Sequence, residues 1–71
     1  MIELKEIGKR ICKLRGEISQ RELAENLKIS KSAMSMYERG ERMPKDKTKE
    51  RIAHYFGKSV QEIFFDDSVH I

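Results

Sequence analysis

The sequence has 71 residues, enough for one small domain that buries about 60% of the surface exposed by its unfolded chain. It contains no run of about 20 apolar residues to span a membrane, and the charged N-terminal stretch lacks the apolar core of a signal peptide. The single cysteine, Cys12, excludes an intramolecular disulfide, and 15 Lys and Arg against 12 Asp and Glu give a formal net charge of +3. These features predict a cytoplasmic protein in a reducing compartment, and the charge is consistent with a polyanionic partner without requiring one.

The first predicted helix has an apolar stripe and ends at Gly16. The stripe consists of four residues at helical spacing, which are Leu4, Ile7, Ile11 and Leu14. Gly8 lies within this helix, where glycine costs roughly 1 kcal/mol relative to alanine. We therefore expect close packing at Gly8.

The next stretch, residues 19–40, predicts two short helices joined by a tight turn. Ser19 begins the first helix in a capping box with Glu22, and Ser30 is the N-cap of the second. Only two residues separate the apolar stripes of the two helices, so the helices must turn sharply and cannot form a long hairpin. This arrangement is helix-turn-helix geometry.

The outward face of the second helix is polar, and all of its members except Met36 can donate a hydrogen bond. The face consists of Lys31, Ser32, Ser35, Met36 and Arg39. Such a strip suits the major groove of B-DNA, which is wide enough for a helix and displays hydrogen-bond acceptors and the thymine methyl group. On composition alone, a solvated surface is the alternative interpretation.

The C-terminal part predicts a loop that contains Pro44, a fourth helix over about residues 46–56 closed by Gly57, and a short fifth helix. A second capping box, Ser59 with Glu62, begins the fifth helix. The expected buried side of the fourth helix consists of Thr48, Ile52, Ala53, Tyr55 and Phe56. The fifth helix is expected to cover the core with Val60, Ile63 and Phe64.

This combination of residues resembles the helix-turn-helix family of phage Cro and repressor proteins, also called the Xre family. The residues that carry the resemblance are Gln20, Glu22, Leu23, Ala24, Leu27, Ser30, Met34, Ser35, Tyr37, Glu38, Gly40 and Pro44. The similarity extends from about Leu4 to Phe64. It implies an all-α, compact five-helix, lambda-repressor-like DNA-binding domain over residues 1–65, with its motif at 19–40 and a short tail at 66–71.

The resemblance implies that the second helix of the motif enters double-stranded DNA. We predict that the exposed N-terminal two turns of that helix read bases, through Lys31, Ser32, Ser35 and Met36. None of these four residues is an arginine, asparagine or glutamine capable of bidentate readout. We therefore expect modest specificity in each half-site, with a contribution from DNA shape.

Phosphate contacts are predicted on both sides of the second helix of the motif, which we call the reading helix. The resemblance implies a backbone clamp at Gln20, in the first turn of the preceding helix, where unpaired amides favour an anion. Arg39, Arg42 and Lys45 follow the reading helix and are predicted to meet phosphates on the far side of the groove. Solvated loop cations are the alternative for these three residues.

Glu38 is expected to point inward, because the resemblance implies that a glutamate here pairs with a basic residue near the end of helix one. Arg15 is the natural partner. The turn from residue 15 to residue 19 is shorter than is usual for the family, so Lys13 is a second candidate. A structural ion pair between Arg15 and Glu38 would hold helix one against the reading helix.

Enzymatic and metal-dependent functions find no support in the sequence. His54 and His70 are far apart, Cys12 has no metal-ligand spacing, and no cofactor motif is present. We therefore expect neither a cofactor nor a bound metal.

The sequence as a whole predicts a transcriptional regulator, most simply a repressor of prophage or mobile-element type. It would bind a pseudo-palindromic operator as a homodimer, with half-sites roughly 34–36 Å apart. The candidates for the dimer interface are Phe64, Phe65, Val69 and Ile71. A frayed terminus is the favoured alternative interpretation of the tail. Two alternatives are an antitoxin that also masks a toxin, and a protein-interaction module that retains the fold.

Overall fold

The computed structural model describes residues 2–68, which form five helices and no strand. The helices are α1 (Leu4–Arg15), α2 (Gln20–Leu27), α3 (Lys31–Glu38), α4 (Asp46–Phe56) and α5 (Gln61–Phe65). The short α5 is π-helical, and the Asp66 N–H donates to the Gln61 carbonyl at 2.8 Å. The all-α, five-helix prediction is confirmed. Val69, His70 and Ile71 lie outside the described residues.

The core is built from one apolar side of each helix. Its largest fully buried side chains are Ile7, Ile11, Leu23, Met34, Ile52, Ile63 and Phe64. Each such side chain contributes about 1.5–3 kcal/mol by leaving water. Helix α3 packs on α1 and α2 through Met34 and Tyr37, so its opposite side remains at the surface.

The tight turn between α2 and α3 rests on local backbone chemistry. The Ser19 and Ser30 hydroxyls accept from the backbone N–H groups of Glu22 and Ala33, each at 3.0 Å, which confirms both as N-caps. Lys28 ends α2 in the left-handed conformation with φ of 58°, and the next N–H donates to the Ala24 carbonyl at 3.0 Å. The two helices therefore diverge after a single left-handed residue.

Gly8 allows α1 and α3 to meet backbone to backbone. A Cβ atom at this position would lie 2.4 Å from the Glu38 carbonyl oxygen and 2.7 Å from that of Tyr37. The predicted close packing at Gly8 is confirmed. Because of this approach, the C-terminal end of α3 is held directly against α1.

Two aromatic predictions are corrected by the structure. Tyr55 is 41% exposed, because it and its neighbour Phe56 project about 100° apart on α4 and only Phe56 turns partly toward the core. The Tyr55 hydroxyl instead accepts from Asn26 Nδ2 at 3.2 Å. Phe64 is only 2% exposed and belongs to the core, so it is unavailable to a dimer interface, whereas Phe65 is 51% exposed.

Arg10 is a buried charged residue that the sequence did not indicate. Its Nη1 donates to the Glu62 carbonyl at 2.7 Å and to the Ile63 carbonyl at 3.4 Å, so the guanidinium ties α1 to α5. Among residues 2–68, Arg10 Nε has no hydrogen-bond partner and lies 3.8 Å from the Glu6 carboxylate. Arg10 thus satisfies carbonyls of a short helix that lies more than 50 residues later in the chain.

Candidate nucleic-acid interface

The exposed side of α3 forms a shallow surface depression, which we call the reading face. It has a volume of about 260 Å³ and is lined by Lys31, Ser32, Ser35, Met36 and Arg39. Lys31 and Ser32 are exposed, and Ser35 and Met36 are half-buried. The structure therefore places the four residues predicted to read bases on one surface with Arg39, the fifth residue of the outward face that the sequence indicated.

The side chain of Arg39 is already engaged on this surface. Its Nε donates to Glu41 Oε2 at 2.8 Å and its Nη2 donates to Glu41 Oε1 at 3.0 Å, while its Nη1 donates to the Ser35 hydroxyl. Both partners of the ion pair are more than half exposed. The hydrogen bonds from Arg39 lower the pKa of Glu41 below its ordinary value of 4.5.

Glu41 was not among the residues that the sequence indicated. It becomes a neighbour of Arg39 because Gly40, with φ of 71°, reverses the chain between them. The sequence does contain one indication of this contact: Glu41 follows Arg39 by two residues, with Gly40 between them.

The other predicted phosphate-binding cations lie beyond α3. Arg42 and Lys45 are exposed, and neither forms an ion pair within residues 2–68. The segment that carries them is anchored by Pro44, which is buried. Two extended cations on an anchored loop can reach an adjacent polyanion without first breaking an internal contact.

Glu38 lies at the meeting point of α1, α2 and α3. Its Oε2 accepts from Arg15 Nε at 2.7 Å, and its Oε1 accepts from Arg15 Nη2 at 3.1 Å and from Gln20 Nε2 at 3.0 Å. Of the two candidate partners for Glu38, the structure places Arg15 in contact. The hydrogen bond to Glu38 raises the pKa of Arg15, and Arg15 Nη1 also donates to the Ile18 carbonyl at 2.7 Å.

The bond from Gln20 to Glu38 orients the carboxamide of the predicted phosphate clamp. Because a carboxylate only accepts, the Nε2 atom must face Glu38 and one of its two N–H groups is occupied. A phosphate beside the start of α2 would therefore meet the second Nε2 hydrogen or the backbone N–H groups of the first turn.

A second surface depression, of about 350 Å³, lies on α4 and is lined by Lys47, Glu50, Arg51 and His54. Between residues 2 and 68, no helix has the length and apolar character to cross a membrane, and no group of His, Cys, Asp and Glu is arranged to hold a metal ion. His54 is exposed on α4, and His70 lies outside the described part. Cys12 is exposed on the flank of α1, with its Sγ 3.7 Å from Arg15 Nη2.

Several solved structures have a similar fold. The restriction-modification controller protein C.AhdI from Aeromonas hydrophila is 27% identical, with a TM-score of 0.77 over 86% of this chain and 96% of its own. The clp gene regulator ClgR from Corynebacterium glutamicum is 25% identical, with a TM-score of 0.76 over 89% of this chain and 69% of its own. The SOS-response transcriptional repressor LexA from Eubacterium rectale shares the fold at 18% identity, with a TM-score of 0.81 over 100% of this chain and 81% of its own.

The family comparison covers most of the sequence. No curated protein matches the chain. The family model described as Helix-turn-helix matches residues 9–63, which include all of α2, α3 and α4. The chain belongs to the Xre/Cro-type helix-turn-helix family of DNA-binding transcription regulators.

Proposed function

We propose that the protein is a transcriptional repressor of prophage or mobile-element type that binds a pseudo-palindromic operator as a homodimer. The observation that carries the proposal is the reading face, where a cation, two hydroxyls and a thioether share one exposed side of α3. Repression fits a small domain, because occupancy of the operator is enough to block transcription. Such a protein would act in the cytoplasm, on the DNA of its host.

Four residues of the reading face match features of the major groove. Lys31 supplies a cation for guanine O6 and N7, and the Ser32 and Ser35 hydroxyls donate or accept. Met36 provides an apolar contact for a thymine methyl group. Because Lys31 and Ser32 occupy the first turn of α3, they would enter the groove first.

Phosphate contacts on either side would fix the register of α3 in the groove. Gln20 and the first turn of α2 would bind one strand, and Arg39, Arg42 and Lys45 would approach the other. Arg42 and Lys45 are exposed and have no ion-pair partner between residues 2 and 68, which supports this role. These contacts add affinity and salt dependence without reading sequence.

A homodimer would pair two reading faces on one operator. Within residues 2–68, Phe65 is the interface candidate that stays exposed: it is 51% exposed at the end of α5, with Lys49 Nζ 5.1 Å from its ring centroid. Val69 and Ile71, the other candidates for the interface, lie outside the described residues. A two-fold dimer would place its half-sites about one helical turn apart, roughly 34–36 Å.

Selection of bound duplexes from a randomised pool tests the function. At about 150 mM salt, non-specific binding is weak, with Kd on the order of 10⁻⁴–10⁻⁶ M, so only specific sites should be enriched. We expect a two-fold symmetric consensus. A consensus without symmetry would contradict the dimer alone, and the absence of enrichment would contradict sequence-specific binding and favour a protein-interaction role.

A further inference from the structure

We propose that Glu41 is a built-in competitor of DNA, which occupies the bidentate edge of Arg39 in the unbound protein and yields it when DNA offers a pair of acceptors. The inference rests on the proposed function and deepens it, because it assigns a specificity-determining role to an acidic residue beside the reading face. The pair of acceptors is either two phosphate oxygens or guanine O6 with N7.

The geometry of the guanidinium group carries the proposal. Arg39 uses Nε and Nη2 for the two oxygens of Glu41, at 2.8 and 3.0 Å. An arginine presents either this edge or the Nη1–Nη2 edge to a phosphate or to guanine, because its N–H groups form a rigid planar fork, and both edges include Nη2. Glu41 and DNA would therefore compete for Nη2 of Arg39 on either edge.

The second contact keeps Arg39 beside the reading face. Its Nη1 donates to the Ser35 hydroxyl, one turn earlier on α3, and both residues line the same depression. When the Arg39 side chain rotates away from Glu41, it therefore starts from a position on the reading face. A short movement would bring the released edge onto DNA.

The exchange is feasible because the ion pair is exposed. The Arg39 and Glu41 side chains are 55% and 53% exposed. Exposed pairs are weak and are screened by salt, so DNA with its high charge density can displace the carboxylate. Arg15 and Glu38 provide the contrast, since their pair is largely buried and serves the fold.

A double-mutant cycle tests the competition, with four full-length proteins: wild type, Glu41→Gln, Arg39→Gln and the double variant. Glu41→Gln alone would also raise affinity by removing an acid near DNA, so the cycle compares its effect with and without Arg39. We expect the gain in affinity to be about two- to fivefold larger when Arg39 is present, the range that an exposed ion pair supports. Matched thermal unfolding midpoints would show that all four proteins are folded.

Two duplexes of equal length, the selected consensus and a scrambled sequence, distinguish the acceptors. If the Arg39-dependent gain in affinity occurs on both duplexes, the acceptors are phosphate oxygens. If it occurs on the consensus alone, the acceptors belong to guanine. Both results support the proposal that Glu41 competes with DNA. If Glu41→Gln raises the affinity equally with and without Arg39, or does not raise it, the proposed competition is wrong while the proposed function stands. If none of the four proteins binds either duplex, both the proposed function and the proposed competition by Glu41 are wrong.

Discussion

Glu38 and Arg15 are joined by two hydrogen bonds that connect the C-terminal end of α3 to the C-terminal end of α1. The distances are 2.7 Å from Nε to Oε2 and 3.1 Å from Nη2 to Oε1. The Glu38 side chain is 6% exposed and that of Arg15 is 17% exposed. Since Gln20 donates to the same carboxylate, this one residue sets the positions of three helices, including both helices of the DNA-binding motif.

Replacement of Glu38 by glutamine should destabilise the domain. The substitution keeps the shape of the side chain but leaves the Arg15 guanidinium without its counter-charge in a largely buried position. Removing one partner of a fully buried pair costs about 3–5 kcal/mol, and the residual exposure of Arg15 reduces our expectation to about 2–4 kcal/mol.

Urea denaturation of wild type and Glu38→Gln measures this loss. Glu41→Gln is the matched control, because it removes an exposed carboxylate from an arginine pair and should leave the midpoint nearly unchanged. Equal midpoints for Glu38→Gln and wild type would show that the pair does not hold α3 against α1.

Alanine at position 8 should destabilise the protein although alanine is the better helix former. The gain in helix propensity is about 1 kcal/mol, but the new Cβ would collide with the Glu38 carbonyl oxygen at 2.4 Å. Because both groups are fixed in helical backbones, α1 and α3 must move apart, and overpacking of this kind costs about 1–3 kcal/mol. We expect a net loss of stability in thermal unfolding.

Lys9→Ala is the control for Gly8→Ala, since Lys9 is the adjacent, exposed residue of α1 and its replacement should change stability by no more than about 0.5 kcal/mol. A Gly8→Ala protein more stable than wild type would mean that the helices do not approach as closely as the structure shows.

The capping box that Ser59 and Glu62 form at the start of α5 should lower the pKa of the Glu62 carboxyl group. Hydrogen bonds from Ser59, first from its backbone N–H and then from its side chain, hold the pKa of Glu62 below its ordinary value of 4.5. Because the pKa is lower in the folded state, this contribution to stability is complete above pH 4.5 and is lost as the pH falls through the lowered value.

NMR titration of the Glu62 carboxyl group measures this pKa directly. Replacement of Ser59 by alanine removes the side-chain part and keeps the backbone donor, so the pKa should return part of the way toward 4.5. A wild-type value at or above 4.5 would contradict the capping contact.

Phe65→Ser should weaken self-association without unfolding the domain. Phe65 is 51% exposed and forms no part of the buried core, so its loss leaves the interior unchanged. Tyr55→Ser is the matched control, because Tyr55 is also a large exposed side chain. Sedimentation equilibrium should show a weaker dimer for Phe65→Ser alone; equal association of the two variants and wild type would exclude Phe65 from the interface.

The limits of the helices could be predicted because their signals are local. Ser19, Ser30 and Gly57 act on backbone groups within a few residues, so the sequence alone places the helix ends. The shared surface of the predicted base-reading residues could be predicted for a similar reason: on an eight-residue helix with one buried side, the remaining positions must form the other side.

The features that were missed depend on tertiary packing or on side-chain geometry, which local sequence patterns do not specify. Arg10 is buried because α5 places two carbonyls beside it, and no periodicity in α1 indicates this. Tyr55 and Phe56 are equally apolar in the sequence, and only the packing of α4 decides which one turns toward the core. The Arg39 to Glu41 pair depends on the backbone reversal at Gly40, which carries a helix-end signal but no indication of side-chain geometry.

Base reading by α3 can be tested by a parallel selection of duplexes with wild type, Lys31→Gln and Arg42→Gln. Lysine suits guanine, whereas glutamine forms a bidentate pair with adenine. We therefore predict that Lys31→Gln shifts one position of each half-site from guanine toward adenine. Arg42→Gln should keep the consensus and reduce the magnitude of the salt slope by about 0.9. An unchanged consensus for Lys31→Gln would contradict base reading by Lys31 on α3.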